Sequence, residues 1–400
     1  MNKHRIIIAI IGLITVGLIL IGAFMIFPAQ QVNKVNINKF TTALWQSYLK
    51  NQWLSEGRTV SNPVNSITTS EGQSYTMLRA VWQNDQNVFN TTWQWTKTNL
   101  QRKDFLFSWE WGRNPNGSYG IMTANNGQNT AADADCDIAL ALLMAAQRWH
   151  KPNYKNDAIK IVKSIWNIEV VKINGLYYLA ADNLEKKAAT PYIVVNPSYF
   201  SPASYRIFSK VDPHDQWLTL AKDTYPEINS MSQSKLGATS TDNLPPDWII
   251  VNRKTGAYSP SPNPLQTTNF GFNAFRTIYR VALDYQWNHI SAAKNTLSGF
   301  SYLYQQYNST HSLSAIYKHD GARAANYSSY ALYGGTLGYF EYNHPSIAKN
   351  IINSKIIGHL FNTKTDQLKT SLDYYDNNWL WFGLKLYSHQ LPNLAGAISS

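Results

Sequence analysis

Apolar residues recur at helical spacing in twelve segments of this chain, near residues 38–50, 70–83, 87–99, 131–149, 153–168, 202–208, 215–224, 273–287, 290–306, 329–340, 346–361 and 374–389. Twelve helices taken in consecutive pairs suit a closed ring of six hairpins, so the expected fold is all-α, an (α/α)6 barrel. Two short runs, Gly175 to Ala180 and Asp247 to Asn252, read as strands. After residue 37 no stretch rich in Pro, Gly or Ser separates one composition from another, which makes residues 38–400 one domain. With 44% hydrophobic and 15% charged residues, a disordered or coiled-coil chain is excluded. The single cysteine, Cys136, excludes a disulfide scaffold and a thiolate zinc site. The nine histidines show no H-x-x-H or H-E-x-x-H spacing, so no metal and no other cofactor is expected.

Lys3 and Arg5 precede 22 uncharged residues, Ile6 to Phe27, a run long enough to cross a bilayer. It ends at bulky Phe27 and Pro28 instead of the small residues of a cleavage site, and so reads as an uncleaved transmembrane anchor, 6–27. Positive charge before the span but not just after it puts residues 1–5 in the cytoplasm, with a polar stem (28–37) and the main domain outside the cell membrane. The formal charge is +11, and without Lys3 and Arg5 (residues 1–29 hold no Asp or Glu) the exported part carries +9. Its basic residues are scattered, apart from Lys186-Lys187, and no nucleic-acid module is present. This describes a generally basic surface on a monomer, with no nucleic-acid partner.

The irregular stretches 105–130 and 226–272 are of the kind that carry sites. Two expected helix starts bear acids. In Thr69-Ser70-Glu71-Gly72-Gln73-Ser74-Tyr75, the pair Ser70 and Gln73 reads as a capping box with Glu71 in the first turn. An acid there is ordinarily favoured by the helix dipole. Held against apolar and aromatic groups, however, a carboxyl has its pKa raised and can act as a general acid. In Thr130-Ala-Ala-Asp133-Ala-Asp135-Cys-Asp137, three acids open a strongly apolar helix, again suiting the dipole, although Asp133 and Asp137 repel each other at i,i+4. The helix runs straight on from them, leaving no calcium loop, and sugar hydroxyls are another partner for such carboxylates.

These two stretches, in this order, resemble glycoside hydrolase family 8, once called cellulase family D. Its pattern has a Ser-Glu-Gly-Gln element opening a helix, then an Ala-(Ser/Thr)-Asp-(Ala/Gly)-Asp helix. The likeness extends to Asn196-Pro-Ser-Tyr199-Phe-Ser-Pro-Ala203, to Leu244-Pro-Pro-Asp247-Trp248, and to Gly271-Phe-Asn273-Ala-Phe-Arg276 through Leu283-Asp284-Tyr285. The resemblance implies an (α/α)6 barrel and endo-acting hydrolysis of a β-linked polysaccharide with inversion, such as an exopolysaccharide or glucan. It makes Glu71 the general acid and Asp133 the carboxylate that binds and distorts the sugar before the scissile bond. Asn273 falls where many members have Asp as general base, and Arg276, one turn on, is the partner of that missing carboxylate. Ala132 stands in place of Ser or Thr.

A neutral amide cannot take a proton from water at useful strength. Residues 248–283 contain no Asp or Glu, so Asp247, at the mouth of a long loop, is the substitute base expected here. Asp242 and Glu110 lie further off, and Asp284 reads as a structural partner of an arginine such as Arg280. Candidate sugar contacts are Tyr75, Trp109, Trp111, Tyr199 and Trp248 by stacking, with Asp135 and Arg276 by polar contact; Trp45, Trp53, Trp93, Trp95 and Trp149 are assigned to packing. The rival expectation, motivated by Asn273, is a catalytically weak polysaccharide-binding protein on the same fold.

Overall fold

The computed structural model describes residues 29–61 and 66–399, with side chains from residue 37 onward. The expected anchor, 6–27, lies outside the described residues; among those described, no helix is long and apolar enough to cross a membrane.

Among the described residues, two kinds of helix alternate along the chain. The outer kind is amphipathic: α5 (Pro152–Glu169) buries Ala158, Ile161, Val162 and Ile165, a single stripe. The inner kind is buried all round, because it touches a neighbour on each side as well as the middle of the ring. Thus α4 (Ala132–Arg148) buries every residue from Ala132 to Ala145. Polar residues survive in such helices by bonding back to their own backbone, as Thr76 Oγ1 does to the Gly72 carbonyl at 3.0 Å. The remaining outer helices are α1 (Ala29–Asn51), α3 (Gln86–Asn99), α7 (Trp217–Gln233), α9 (Ser291–Gly299) with α10 (Tyr302–Thr310), and α12 (Pro345–Asn350). The other inner helices are α2 (Ser70–Gln83), α6 (Pro202–Val211), α8 (Phe275–Asn288), α11 (Tyr330–Asn343) and, beyond the short α13 (Gly358–Leu360), α14 (Tyr374–Tyr387).

The inner helices contact one another in chain order, α2 to α4, α6, α8, α11 and α14. The ring closes where the buried Arg79 of α2 donates to Asn377 and Asn378 of α14, at 3.1 and 2.9 Å. This is the (α/α)6 barrel. At one end the connections are short (84–85, 149–151, 212–216, 289–290 and 344). At the other they are long (52–69, 100–131, 170–201, 234–274, 311–329 and 361–373) and carry small antiparallel sheets. One sheet joins β1 (Thr68–Thr69), β2 (Glu110–Arg113) and β3 (Tyr119–Ile121); another joins β4 (Tyr192–Val195), β5 (Ile249–Asn252) and β6 (Tyr258–Ser259). All six inner helices therefore begin at the end with the long connectors, where their N-terminal dipoles favour negative charge.

Several boundaries depart from the sequence reading. The polar stem begins a helix, since α1 starts at Ala29. Helix α7 runs on through Pro226 to Gln233 instead of stopping near 224. The segment 290–306 splits after Gly299, whose carbonyl is taken by Asn243 Nδ2 at 2.7 Å. The cap of α2 is Thr69, which accepts from the Gly72 amide at 3.0 Å, so Ser70 and Gln73 do not form the expected box. Gln73 instead ties the 57–59 loop to α3, accepting from the Thr59 amide and donating to Thr96 Oγ1.

Candidate active site

One arginine organises the end where the inner helices begin. Arg276, in the first turn of α8, directs Nη1 at Glu71 Oε2 (2.8 Å), Asp133 Oδ2 (2.9 Å) and the Tyr75 hydroxyl (3.1 Å). Its Nη2 donates to Asn273 Oδ1 at 2.7 Å. The arginine is 1% exposed and Asp133 2%, while the side chain of Glu71 is 25% exposed. Of the two acids sharing this nitrogen, Glu71 is the one a molecule arriving from solvent meets. Its second oxygen accepts from the Tyr374 hydroxyl at 3.0 Å. Gly72 makes room for that contact, because a Cβ there would lie 3.3 Å from the Tyr374 oxygen.

Burial pushes the Asp133 carboxyl up to about 6, against the pull of Arg276, with the Glu71 charge adding to the rise. Burial likewise raises the hydroxyls of Tyr75, Tyr199 and Tyr374, which stay protonated at neutral pH. The cluster thus sets one fixed cation against two carboxyls and several hydroxyls inside a largely dry site.

Asn273 occupies a defined orientation. Its Oδ1 accepts from Arg276 Nη2 and from Asn196 Nδ2 (3.1 Å), which turns its own amide nitrogen the other way. A water beside that nitrogen would meet a donor, not an acceptor. Just behind it, Asp247 Oδ1 accepts from the backbone amides of Ala274 (2.7 Å), Asn273 (2.9 Å) and Gly271 (3.3 Å), so this acid caps the entry to α8. Oδ2 accepts no hydrogen bond from the described residues. Burial raises the Asp247 carboxyl to about 6, opposed by these three N–H groups and by Arg276. Gly271 is needed here, since a Cβ would stand 2.7 Å from Asp247 Oδ2.

The expected sugar contacts divide. Tyr199 lies beneath the Arg276 guanidinium, 5.4 Å from its ring centre, and Trp248 meets Tyr199 edge-on at 5.6 Å; both are partly exposed. Trp111, also partly exposed, stacks on Tyr119 at 5.5 Å, and Trp109 bonds the Asn126 carbonyl at 3.0 Å. Tyr75 is 1% exposed and enclosed by Tyr374, Trp379 and Phe382, so only its hydroxyl joins the cluster and its ring is no platform. Asp135 is fully buried and points away, accepting from the Phe107 amide at 2.9 Å beside the equally buried Glu169; it cannot meet a sugar in this arrangement. Asp284 pairs with Arg206 at 3.1 Å, not with Arg280, which binds Asp137 through both nitrogens.

Sequence reasoning does not single out Tyr374, and gives no site role to Asn196 or to the exposed Phe272, which packs against Tyr375 at 6.1 Å. The available signal was Asp373-Tyr374-Tyr375, an N-cap followed by two aromatics at the start of an inner helix.

The model of the Glycosyl hydrolases family 8 matches residues 13–389. The chain belongs to this family. It is 31% identical over 240 residues to Endoglucanase 2 of Ruminiclostridium josui, covering 59% of this chain and 47% of that protein. It is also 31% identical over 260 residues to a probable endoglucanase of Novacetimonas hansenii, covering 64% and 70%. The chain thus spans about half the length of the first of these relatives and more of the second. Among solved structures, the family 8 chain shares its fold with a β-1,3-1,4-glucanase from Paenibacillus sp. X4 (TM-score 0.73, 21% identity, 89% of this chain and 92% of that one). It shares it also with a cold-adapted family 8 xylanase (TM-score 0.70, 19% identity, 91% and 93%).

Proposed function

We propose that this family 8 protein is an endo-acting hydrolase of a β-linked polysaccharide, held at the outer face of the cell membrane by residues 6–27, and that Glu71 is its general acid. The observation that carries the reading is the shared Arg276 nitrogen: it sets a partly exposed carboxyl and a buried one side by side where the inner helices begin. The curated relatives named endoglucanases support the substrate class.

In this mechanism Glu71 gives its proton to the glycosidic oxygen as that oxygen leaves the anomeric carbon, and Asp133 binds the sugar on the non-reducing side of the break. Water adds to the anomeric carbon from the opposite face, its proton passing to Asp247 Oδ2. Inversion of this kind needs the acid and the base roughly 6.5 to 9.5 Å apart, with the water between them. Asn273, presenting its amide nitrogen, steers the water or a sugar hydroxyl and takes no proton.

The orientation of Asn273 and the capping duty of Asp247 favour a second reading, a glycan-binding protein with little turnover. Reducing-sugar release across soluble β-glucans, xylan and chitosan separates the two. Release from a β-glucan, lost in Glu71→Gln with circular dichroism unchanged, is expected; binding without release on every polymer establishes the second reading instead.

A further inference from the structure

Outside the cluster, the outer helix α3 presents a polar surface that includes an indole ring. One ring contact links it to the strand next to the site. Strand β2 pairs with β1 directly ahead of Glu71, and its Trp111 meets the edge of Trp95 on α3 at 5.3 Å. Trp95, which its helical spacing assigns to packing, is partly exposed and lines a shallow, open depression of about 520 Å³. A second depression of about 610 Å³ adjoins it, the two sharing Asn90 and Gln94, and reaches across to Asn153 and Asn156 on α5.

The lining is selective in its chemistry. Asn90, Gln94, Asn153 and Asn156 are all exposed primary amides, each able to donate and to accept, which matches hydroxyls that do both. Trp95 offers an apolar ring beside them. Most charges of the walls are matched locally: Lys97 pairs with Asp157 at 2.7 Å and Glu56 with Arg58 at 3.5 Å, while Lys160 sits over the Phe105 ring at 5.5 Å. An uncharged hydroxyl-rich chain suits this trough better than an anionic polymer, a membrane surface or an apolar peptide.

We propose that the trough between α3 and α5 is a second glycan-binding site, which holds a neutral β-linked polysaccharide strand outside the catalytic end and keeps the polymer close to it. The inference rests on the hydrolase reading for the identity of the polymer, but its test does not depend on turnover.

The uncleaving Glu71→Gln protein is run through native gels containing barley β-glucan or hydroxyethyl cellulose, alone and with Asn90→Ala/Gln94→Ala or Asn153→Ala/Asn156→Ala. All four amides are on the surface, Asn90 also accepting from the Tyr154 hydroxyl of α5, and circular dichroism checks that folding is spared. Each pair is expected to weaken retardation about five- to tenfold. On the Glu71 background each pair raises KM for the polymer by a similar factor, while kcat/KM for a soluble tetrasaccharide is unchanged. Retardation or polymer KM that survives both pairs overturns the proposal, as does a Glu71→Gln protein that no polymer retards. If the unaltered protein cleaves no polymer but is retarded through these amides, the trough stands and the hydrolase reading falls.

Discussion

Helices α4 and α8 are joined by two aspartate–arginine pairs one helical turn apart, and the pairs are built to different ends. In the deeper layer, Arg280 meets Asp137 with both nitrogens; the two side chains are 5% and 2% exposed, and nothing from outside can enter. In the upper layer, Arg276 divides one nitrogen among Glu71, Asp133 and Tyr75, and one of these acids reaches solvent. The deeper pair is a closed fork, each Asp137 oxygen taking one Arg280 nitrogen. The upper one is over-subscribed, and an incoming hydroxyl can compete for its oxygens. Under the proposed function, the same two residue types at the same i,i+4 spacing serve structure in one layer and chemistry in the other.

Substitutions should separate the layers. The largest effect is expected at Glu71→Gln, with kcat on polymer falling about 10²- to 10⁴-fold while the thermal midpoint holds, read by reducing-sugar assay and calorimetry. In the deeper layer the effect reverses in kind. Asp137→Leu leaves Arg280 buried without a counter-charge and should cost about 3–5 kcal/mol in urea denaturation, whereas Asp137→Leu/Arg280→Met recovers most of that loss. An Asp137→Leu protein that keeps its stability and loses only turnover erases the distinction between the layers.

A smaller effect concerns pH. Asp247 must be ionised to take a proton, and burial raises it to about 6, so kcat should fall on the acid side, roughly tenfold per unit below that value. Asp247→Asn removes this limb along with most of the rate. An acid limb unchanged in Asp247→Asn assigns it to Asp133, which burial also raises to about 6.

The smallest effect belongs to the buried neighbours of the site. Burial pushes Glu169 up to about 8, well above its value in an unfolded chain, so the folded state binds more protons between about pH 4 and 8. Stability is therefore full below that window and declines as pH rises through it. Glu169→Gln should flatten the thermal midpoint between pH 5 and 9; parallel curves for the two proteins contradict this.

The ring of hairpins was legible because helical periodicity is local. Ten consecutive buried residues in α11, Ala331 to Phe340, and the single stripe of α5 write inner and outer into the sequence itself. The grouping of Glu71, Asp133, Asn273 and Arg276 followed from the family resemblance, with each residue in or just before the first turn of an inner helix. What was hidden depends on partners far along the chain. Tyr374 reaches Glu71 across 303 positions, and Asp247 caps α8 from 27 residues before Ala274. Asp135, two residues after Asp133, faces the opposite way, and a triplet of acids does not disclose which member looks inward. The charge pairing of Asp284 is hidden for a related reason: an i,i+4 arginine is at hand, but Arg280 is already held by Asp137 across the ring.

The central claim is that the side chain at position 71 supplies the departing oxygen with a proton. A substrate whose leaving group needs no proton tests it directly: turnover of a dinitrophenyl β-cellooligoside by Glu71→Gln, set against its turnover of β-glucan. Near-normal release of dinitrophenolate together with loss of polymer cleavage is the predicted result. Equal loss on both substrates, or full activity on both, would contradict a proton-donor role for Glu71.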